Sequence, residues 1–215
     1  MATKSLRLGI TMRESPAHGY HEPRDALARN WASYMAQALP EAAWLPIPNL
    51  GVAAVEYCER WQIDGLILSG GEDPGAAPAR DTTERALLQS FATAGRPILG
   101  VCRGLQMLWT HFGGKLIPVE GHVATRHEVG LLSAEWRRQT GSSRLTVNSF
   151  HAQGLSGTTP PELAVIATTD SGSIEAVWRP EAQIMGIMWH PERESSVSAF
   201  DRALTRWVFF GEGNA

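Results

Sequence analysis

PILGVCRGLQMLWTHFGG, residues 97–114, decides the fold. Its first five residues form a short apolar run bounded by Pro97, the pattern of a buried strand. A helix from about Gly104 to Phe112 follows at once, and Gly113-Gly114 ends it. Between strand and helix stands Cys102, with Gly100 and Gly104 two residues to either side. Glycines in that spacing allow a sharp strand-to-helix turn that presents its central side chain at the carboxyl edge of a sheet, the logic of G-x-S-x-G enzymes. The sulfur also falls at a helix N-terminus, where unpaired N–H groups and the helix dipole favour a thiolate. The competing reading is a buried cysteine in an ordinary βα turn, since cysteine is among the most buried residue types.

Outward from this stretch the first half of the chain repeats a strand–helix rhythm. LRLGITM (6–12), the Pro-interrupted WLPIP (44–48) and GLILS (65–69) read as strands. Helices are expected from Asp25 to Leu39, over 52–61 and over 82–94, with Leu27, Trp31, Tyr34, Met35, Leu87, Leu88 and Phe91 facing inward. Such alternation predicts an α/β fold: an open, mostly parallel sheet with helices on both faces. The second half differs. GKLIPV, RHEVGLL, RLTVNSF, LAVIATT, SIEAVW and QIMGIMW are short strands joined by turns, an antiparallel extension of the sheet. Residues 194–210 carry Val197, Phe200, Leu204, Trp207 and Val208 at helical spacing and predict a closing helix. The segment PGAAPAR (74–80) is expected to be the flexible loop.

The chain has 215 residues, 43% of them hydrophobic, enough for one sizeable core; one domain over 1–215 is expected. A formal net charge of -3 offers no basic field for nucleic acid. No apolar run approaches the ~20 residues of a membrane span, and MATKSLRLGI lacks signal-peptide features. The two cysteines, Cys58 and Cys102, stand in unlike settings, which argues for a reducing, cytoplasmic compartment.

A thiol nucleophile needs a neutral imidazole held in one tautomer by a third group. The apolar strand MGIMW (185–189) runs directly into His190-Pro191-Glu192. His190 supplies the base and Glu192, two residues on, its orienting carboxylate, with Pro191 restraining the backbone between them. His122 and His127 flank a turn, and no third metal ligand is evident for them. His18 and His21 are candidates for a substrate entrance, and Cys58 reads as core filler.

With these residues in view, the chain resembles class I glutamine amidotransferases, and within them the gamma-glutamyl hydrolase group, peptidase C26. The resemblance rests on G-V-C-R-G-L-Q (100–106), L-S-G-G (68–71), N-S-F-H-x-Q (148–153), S-I-E-A-V (173–177), M-W-H-P-E (188–192) and Arg80-Asp81 with Glu84. It implies a flavodoxin-like sheet and a Cys102, His190, Glu192 triad. It implies an oxyanion hole from the backbone N–H groups of Gly71 and Arg103, with Gly70 beside it as a substrate contact. It further implies that Gln106 contacts the glutamyl group, that Ser149, Phe150 and His151 close over its amino-acid head, and that no metal or organic cofactor is required. The expected reaction is hydrolysis of a small-molecule gamma-glutamyl amide through a thioester, releasing glutamate and an amine.

The chain departs from that group after the glycine pair, where the usual segment is compressed to G-G-E-D-P-G-A-A-P-A-R. Tyr20 to Asp25, after the first strand, should lie at the carboxyl edge near the site. Arg24 there would bind a carboxylate or phosphate on the leaving group, unless it merely opens a solvated helix with Asp25. This N-terminal pattern resembles short amidohydrolases that cleave gamma-glutamyl from a phosphoramidate or nucleotide-linked amine. Three functions therefore stand: a free-standing hydrolase, a glutaminase subunit passing ammonia to a separate synthase partner, and a non-catalytic protein on the same fold. The intact Cys102, His190 and Glu192 argue against the third.

Overall fold

The computed structural model describes residues 5–211. Its strands are β1 (Arg7–Thr11), β2 (Arg13–Pro16), β3 (Pro23–Ala26), β4 (Ala43–Ile47), β5 (Gly65–Leu68), β6 (Ile98–Val101), β7 (Lys115–Pro118), β8 (Val123–Leu131), β9 (Arg144–Phe150), β10 (Gln153–Ser156), β11 (Ala164–Thr168), β12 (Ile174–Arg179) and β13 (Ile184–Ile187). Its α-helices are α1 (Asn30–Ala38), α2 (Ala54–Arg60), α3 (Pro78–Thr93), α4 (Arg103–His111), α5 (Ala134–Thr140) and α6 (Ala199–Phe210). Nine strands form one sheet in the order β4-β1-β5-β6-β13-β12-β11-β8-β9. The pairs from β4 through β13 are parallel. From β13 to β9 every pair is antiparallel. The expected α/β architecture, mostly parallel with an antiparallel extension, is what the chain adopts.

Alternation along the central strands builds a core on each face. Ile67, Leu99, Val101, Met185 and Ile187 point to one side and meet Trp31, Tyr34 and Met35 of α1, Trp136 of α5 and Phe200, Leu204 and Trp207 of α6. Leu66, Leu68, Ile98 and Ile184 point to the other and meet Cys58 of α2, Leu87, Leu88 and Phe91 of α3, and Met107 and Leu108 of α4. Cys58 is thus core, as its apolar setting implies. Pro46 is accommodated because β4 is an edge strand with a single partner.

Two readings need correction. The helix expected from Asp25 begins at Asn30, and residues 23–26 pair instead with β2 as an antiparallel hairpin, Arg24 opposite Ser15. Asp25 does not serve a helix N-terminus: its carboxylate accepts from the Asn49 backbone N–H at 2.8 Å and side-chain amide at 2.6 Å. The expected loop 74–80 is shorter than its composition implies, because Pro78 opens α3, where a missing N–H costs nothing. α5 and β10 were not foreseen.

A tight backbone approach lies where α4 leaves the elbow. A Cβ on Gly104 would sit 2.2 Å from the Leu68 carbonyl oxygen and 2.8 Å from Leu68 Cβ. Only glycine lets α4 pack on β5 at that distance, so a Gly104→Ala substitution is expected to destabilise by about 1–3 kcal/mol. Urea denaturation of the two proteins checks this, and an unchanged midpoint would mean that α4 can move off β5 without cost.

Candidate active site

The parallel register sets the site. β5, β6 and β13 are neighbours, with Leu68 opposite Gly100 and Val101 opposite Ile187. Each strand releases its chain at the same edge: β5 into Ser69-Gly70-Gly71, β6 into Cys102, and β13 into Met188-Trp189-His190. A carboxyl edge of this kind is where open α/β sheets place ligand sites.

Cys102 caps α4 with φ 52 and ψ −104, a strained backbone for a residue with a side chain. Its N–H donates to the Ile187 carbonyl at 2.8 Å, and its carbonyl accepts from the Gln106 N–H at 3.1 Å, so both neighbours hold the strain. The thiol is buried, with 4% exposure. Burial pushes it up to about 12, against a lowering by the Arg103 N–H, with the Glu192 carboxylate raising it further. The helix N-terminus acts in the expected direction, but burial outweighs it, and the free protein carries a neutral thiol.

His190 Nδ1 lies 2.7 Å from Glu192 Oε1 in a buried pair. A neutral imidazole that donates from Nδ1 to this carboxylate leaves its Nε2 lone pair open, and Nε2 has no hydrogen-bond partner among the described residues. The turn Pro191–Arg193 brings Glu192 back under the ring. Asn148 holds the histidine backbone from both sides: its Oδ1 accepts from His190 N–H at 2.9 Å and its Nδ2 donates to the His190 carbonyl at 2.8 Å. Sequence reading gave Asn148 no role beyond a place in N-S-F-H. Gly70 lies against the ring, and a Cβ there would meet His190 Cε1 at 2.5 Å.

Beneath the glycine pair is a buried ion network. Arg80 donates to the carbonyls of Ser69 at 2.7 Å and Gly70 at 3.2 Å, and to Glu84 at 2.8 Å. Arg103 pairs with Asp81 at 2.8 Å and Glu84 at 3.2 Å and reaches the Glu72 carbonyl at 3.3 Å. The side chain of Arg103 therefore props the loop while its backbone N–H faces the thiol.

The remaining expected contacts are placed as follows. Gln106 is buried and its amide donates to the Gln153 carbonyl at 2.9 Å, holding β10. Ser149 spends its hydroxyl on the His122 carbonyl at 2.7 Å. Phe150 stands edge-on to His190, ring centroids 5.8 Å apart, under the Arg193 guanidinium. His151 meets His122, Nε2 to Nδ1, at 3.1 Å. His122 and His127 do have further ligand-type neighbours: Glu175 and His151 join them from other strands, which spacing along the chain hid. Arg24 lies in β3, paired with Glu22 and Tyr20, on the wall of a cavity of about 870 Å³ that Arg13, His21 and Asp25 also line. Arg13 is shared with a smaller cavity against Gly71 and His190, so the two adjoin.

Fold and site together define a member of the class I glutamine amidotransferase-like group. The Peptidase C26 family model matches residues 8–192, and the chain belongs to that family. It is 30% identical over 197 residues to the gamma-glutamyl-CDP-amidate hydrolase of Campylobacter jejuni, covering 89% of this chain and 92% of that protein. It is 34% identical over 182 residues to the gamma-glutamyl-gamma-aminobutyrate hydrolase of Escherichia coli K12, covering 66% and 69%. Among solved structures, a glutamine amidotransferase from Thermotoga maritima superposes with a TM-score of 0.65 at 13% identity, over 95% of this chain and 83% of that one. Among the described residues no helix is long and apolar enough to cross a membrane.

The buried neutral thiol has a direct chemical readout. Alkylation requires thiolate, so the rate at Cys102 with iodoacetamide should rise about tenfold per pH unit from pH 7 to 10 without a plateau. Peptide-level mass spectrometry measures it, and a plateau near neutral pH would mean that the thiol is ionised in the resting protein.

Proposed function

We propose that the protein hydrolyses a gamma-glutamyl amide whose amine is phosphate- or nucleotide-linked, with Cys102 as nucleophile, His190 as base and then acid, and Glu192 as the carboxylate that orients it. The carrying observation is the His190–Glu192 pair at the end of β13, one strand over from the Cys102 elbow, in a chain of the peptidase C26 family.

Because the resting thiol is neutral, its proton leaves for His190 Nε2 as the sulfur–carbon bond forms. The tetrahedral oxygen's charge is received by the backbone N–H groups of Arg103 and Gly71. The carbon–nitrogen bond then breaks, and the imidazolium returns its proton to the departing amine. Water attacks the gamma-glutamyl thioester and gives a proton to His190. Glutamate leaves, and the thiol recovers its hydrogen. Glu192 holds the ring through Nδ1 in both halves and stabilises the imidazolium.

The substituted leaving group is argued from the large cavity that begins at Arg13 and runs to Arg24 under the β2–β3 hairpin. Its volume suits a group much larger than ammonia. Two guanidinium forks reach it, each matched to phosphate geometry. Both are already paired, Arg13 with Glu72 and Arg24 with Glu22, so a phosphate must displace a carboxylate and the gain from either is modest. The nearly full-length similarity to a hydrolase of a gamma-glutamyl-CDP-amidate supports the same class of substrate.

Glutamate release by the purified protein tests the reading, with L-glutamine, gamma-glutamyl-gamma-aminobutyrate, gamma-glutamyl-ethanolamine and a nucleotide-linked gamma-glutamyl amide offered in turn. The nucleotide-linked amide should be turned over well above glutamine, and Cys102→Ala should lose about 10³-fold or more while remaining folded. Arg24→Ala should raise KM for that substrate about 3–10-fold and leave the aminobutyrate amide unchanged. Slow turnover of glutamine alone would instead indicate a glutaminase subunit without its synthase partner.

A further inference from the structure

Where the ends of β8, β9 and β12 meet, three histidines converge on one carboxylate. His122 precedes β8, His127 lies within it, His151 follows β9, and Glu175 comes from β12. Glu175 is 1% exposed, His151 4% and His122 8%. Neither oxygen of Glu175 has a hydrogen-bond partner among the described residues, and neither does His127 Nε2. A buried carboxylate in that condition is costly unless a cation meets it.

The ligand atoms form a small triangle. His122 Nδ1 and His151 Nε2 are 3.1 Å apart, His122 Nδ1 and Glu175 Oε1 3.4 Å, and His151 Nε2 and Glu175 Oε1 3.6 Å. Around a tetrahedral zinc ion, ligands about 2.0–2.1 Å from the metal stand about 3.3–3.4 Å from each other. The triangle has that edge, and a point near its centre lies about 2.0 Å from all three atoms.

The surroundings agree. His151 Nδ1 is 3.1 Å from the Gln153 carbonyl, so it carries the proton and Nε2 turns its lone pair into the triangle. His127 Nε2 stands 3.5 Å from Glu175 Oε2, beside the carboxylate's other oxygen.

We propose that His122, His151 and Glu175 form a binding site for one divalent first-row transition ion, zinc in preference, with a fourth position open and His127 orienting the carboxylate. Two imidazoles and a carboxylate in a tetrahedral frame suit zinc better than magnesium or calcium, which want more oxygen ligands. The ion would tie β12 to the residues flanking β8 and β9. It is a site separate from the thiol, and the proposal does not depend on the hydrolase reading.

The test is metal binding by the whole chain, stripped with a chelator, reloaded with zinc and then dialysed. One zinc per chain should be retained, and zinc at about 100 times its Kd should raise Tm by about 5–10 °C. Cobalt(II) should give the visible absorption of a four-coordinate site without a thiolate charge-transfer band. Glu175→Gln and His122→Asn, checked for folding by circular dichroism, should each lose at least about tenfold in affinity, while Cys102→Ser binds as the unaltered chain does. No retained ion and no Tm shift in the folded, unaltered chain would overturn the proposal. Binding abolished by Cys102→Ser but kept by Glu175→Gln would overturn it equally, by placing the ion at the thiol. Glutamate release is not part of this readout, so its failure leaves the metal site standing and the reverse also holds.

Discussion

The hydrogen bond from Cys102 N–H to the Ile187 carbonyl is the constraint on which the rest depends. It continues the β6–β13 ladder one residue past the strand and fixes where β6 stops and α4 begins. Because it spends the cysteine N–H on the neighbouring strand, the chain can turn at φ 52 without leaving a buried donor unpaired. The same ladder sets the position of His190, three residues beyond Ile187. Side chains alternate along a strand, so a slip of one residue between β6 and β13 would send Met185 and Ile187 to the wrong face. The two faces carry different helices, and the core on each therefore enforces the register that aligns thiol and imidazole.

A second layer fixes the glycine pair. Main-chain carbonyls that turn inward at the end of a strand need donors, and Arg80 supplies them to Ser69 and Gly70. A buried guanidinium is itself costly, which explains why Glu84 and Glu72 flank it and why Arg103 and Asp81 complete the set. Such a network adds little net stability over a packed apolar core. What it contributes is direction: the carbonyls of Ser69 and Gly70 are held toward Arg80, and the loop between β5 and α3 is fixed in one course.

The sequence was most legible where one physical pattern dominated. PILGV and GLILS are apolar on both sides because both faces of a parallel strand are covered, and Gly100 and Gly104 mark the elbow around Cys102 because close approach there admits nothing larger than glycine. His190 and Glu192 were readable because they are neighbours in the chain. Legibility failed where partners are distant or polar. RESP and PRDA pair as β2 and β3 with no apolar alternation to betray them, and the helical spacing of Leu27 and Trp31 extended α1 too far back. Trp136, a fully buried anchor packed on Phe200 and Trp207, sits in a helix too short to show a period. Asn148 and Glu175 read only as strand residues, since their partners lie far along the chain, at His190 for one and at His122 and His151 for the other.

The histidine cluster and the elbow share one backbone atom. The Gln153 carbonyl accepts from Gln106 Nε2 at 2.9 Å and lies 3.1 Å from His151 Nδ1. Gln106 belongs to the first turns of α4, whose N-terminus carries the thiol, while His151 belongs to the segment that places Phe150 against His190 and Asn148 on its backbone. Anything that draws His151 toward His122 and Glu175 therefore bears on both sides of the site through a single rigid stretch, 148–153. A cation there would not need to approach the reacting atoms. By neutralising Glu175 and holding His151, it would narrow the positions open to Asn148, and with them those of the imidazole that Asn148 grips.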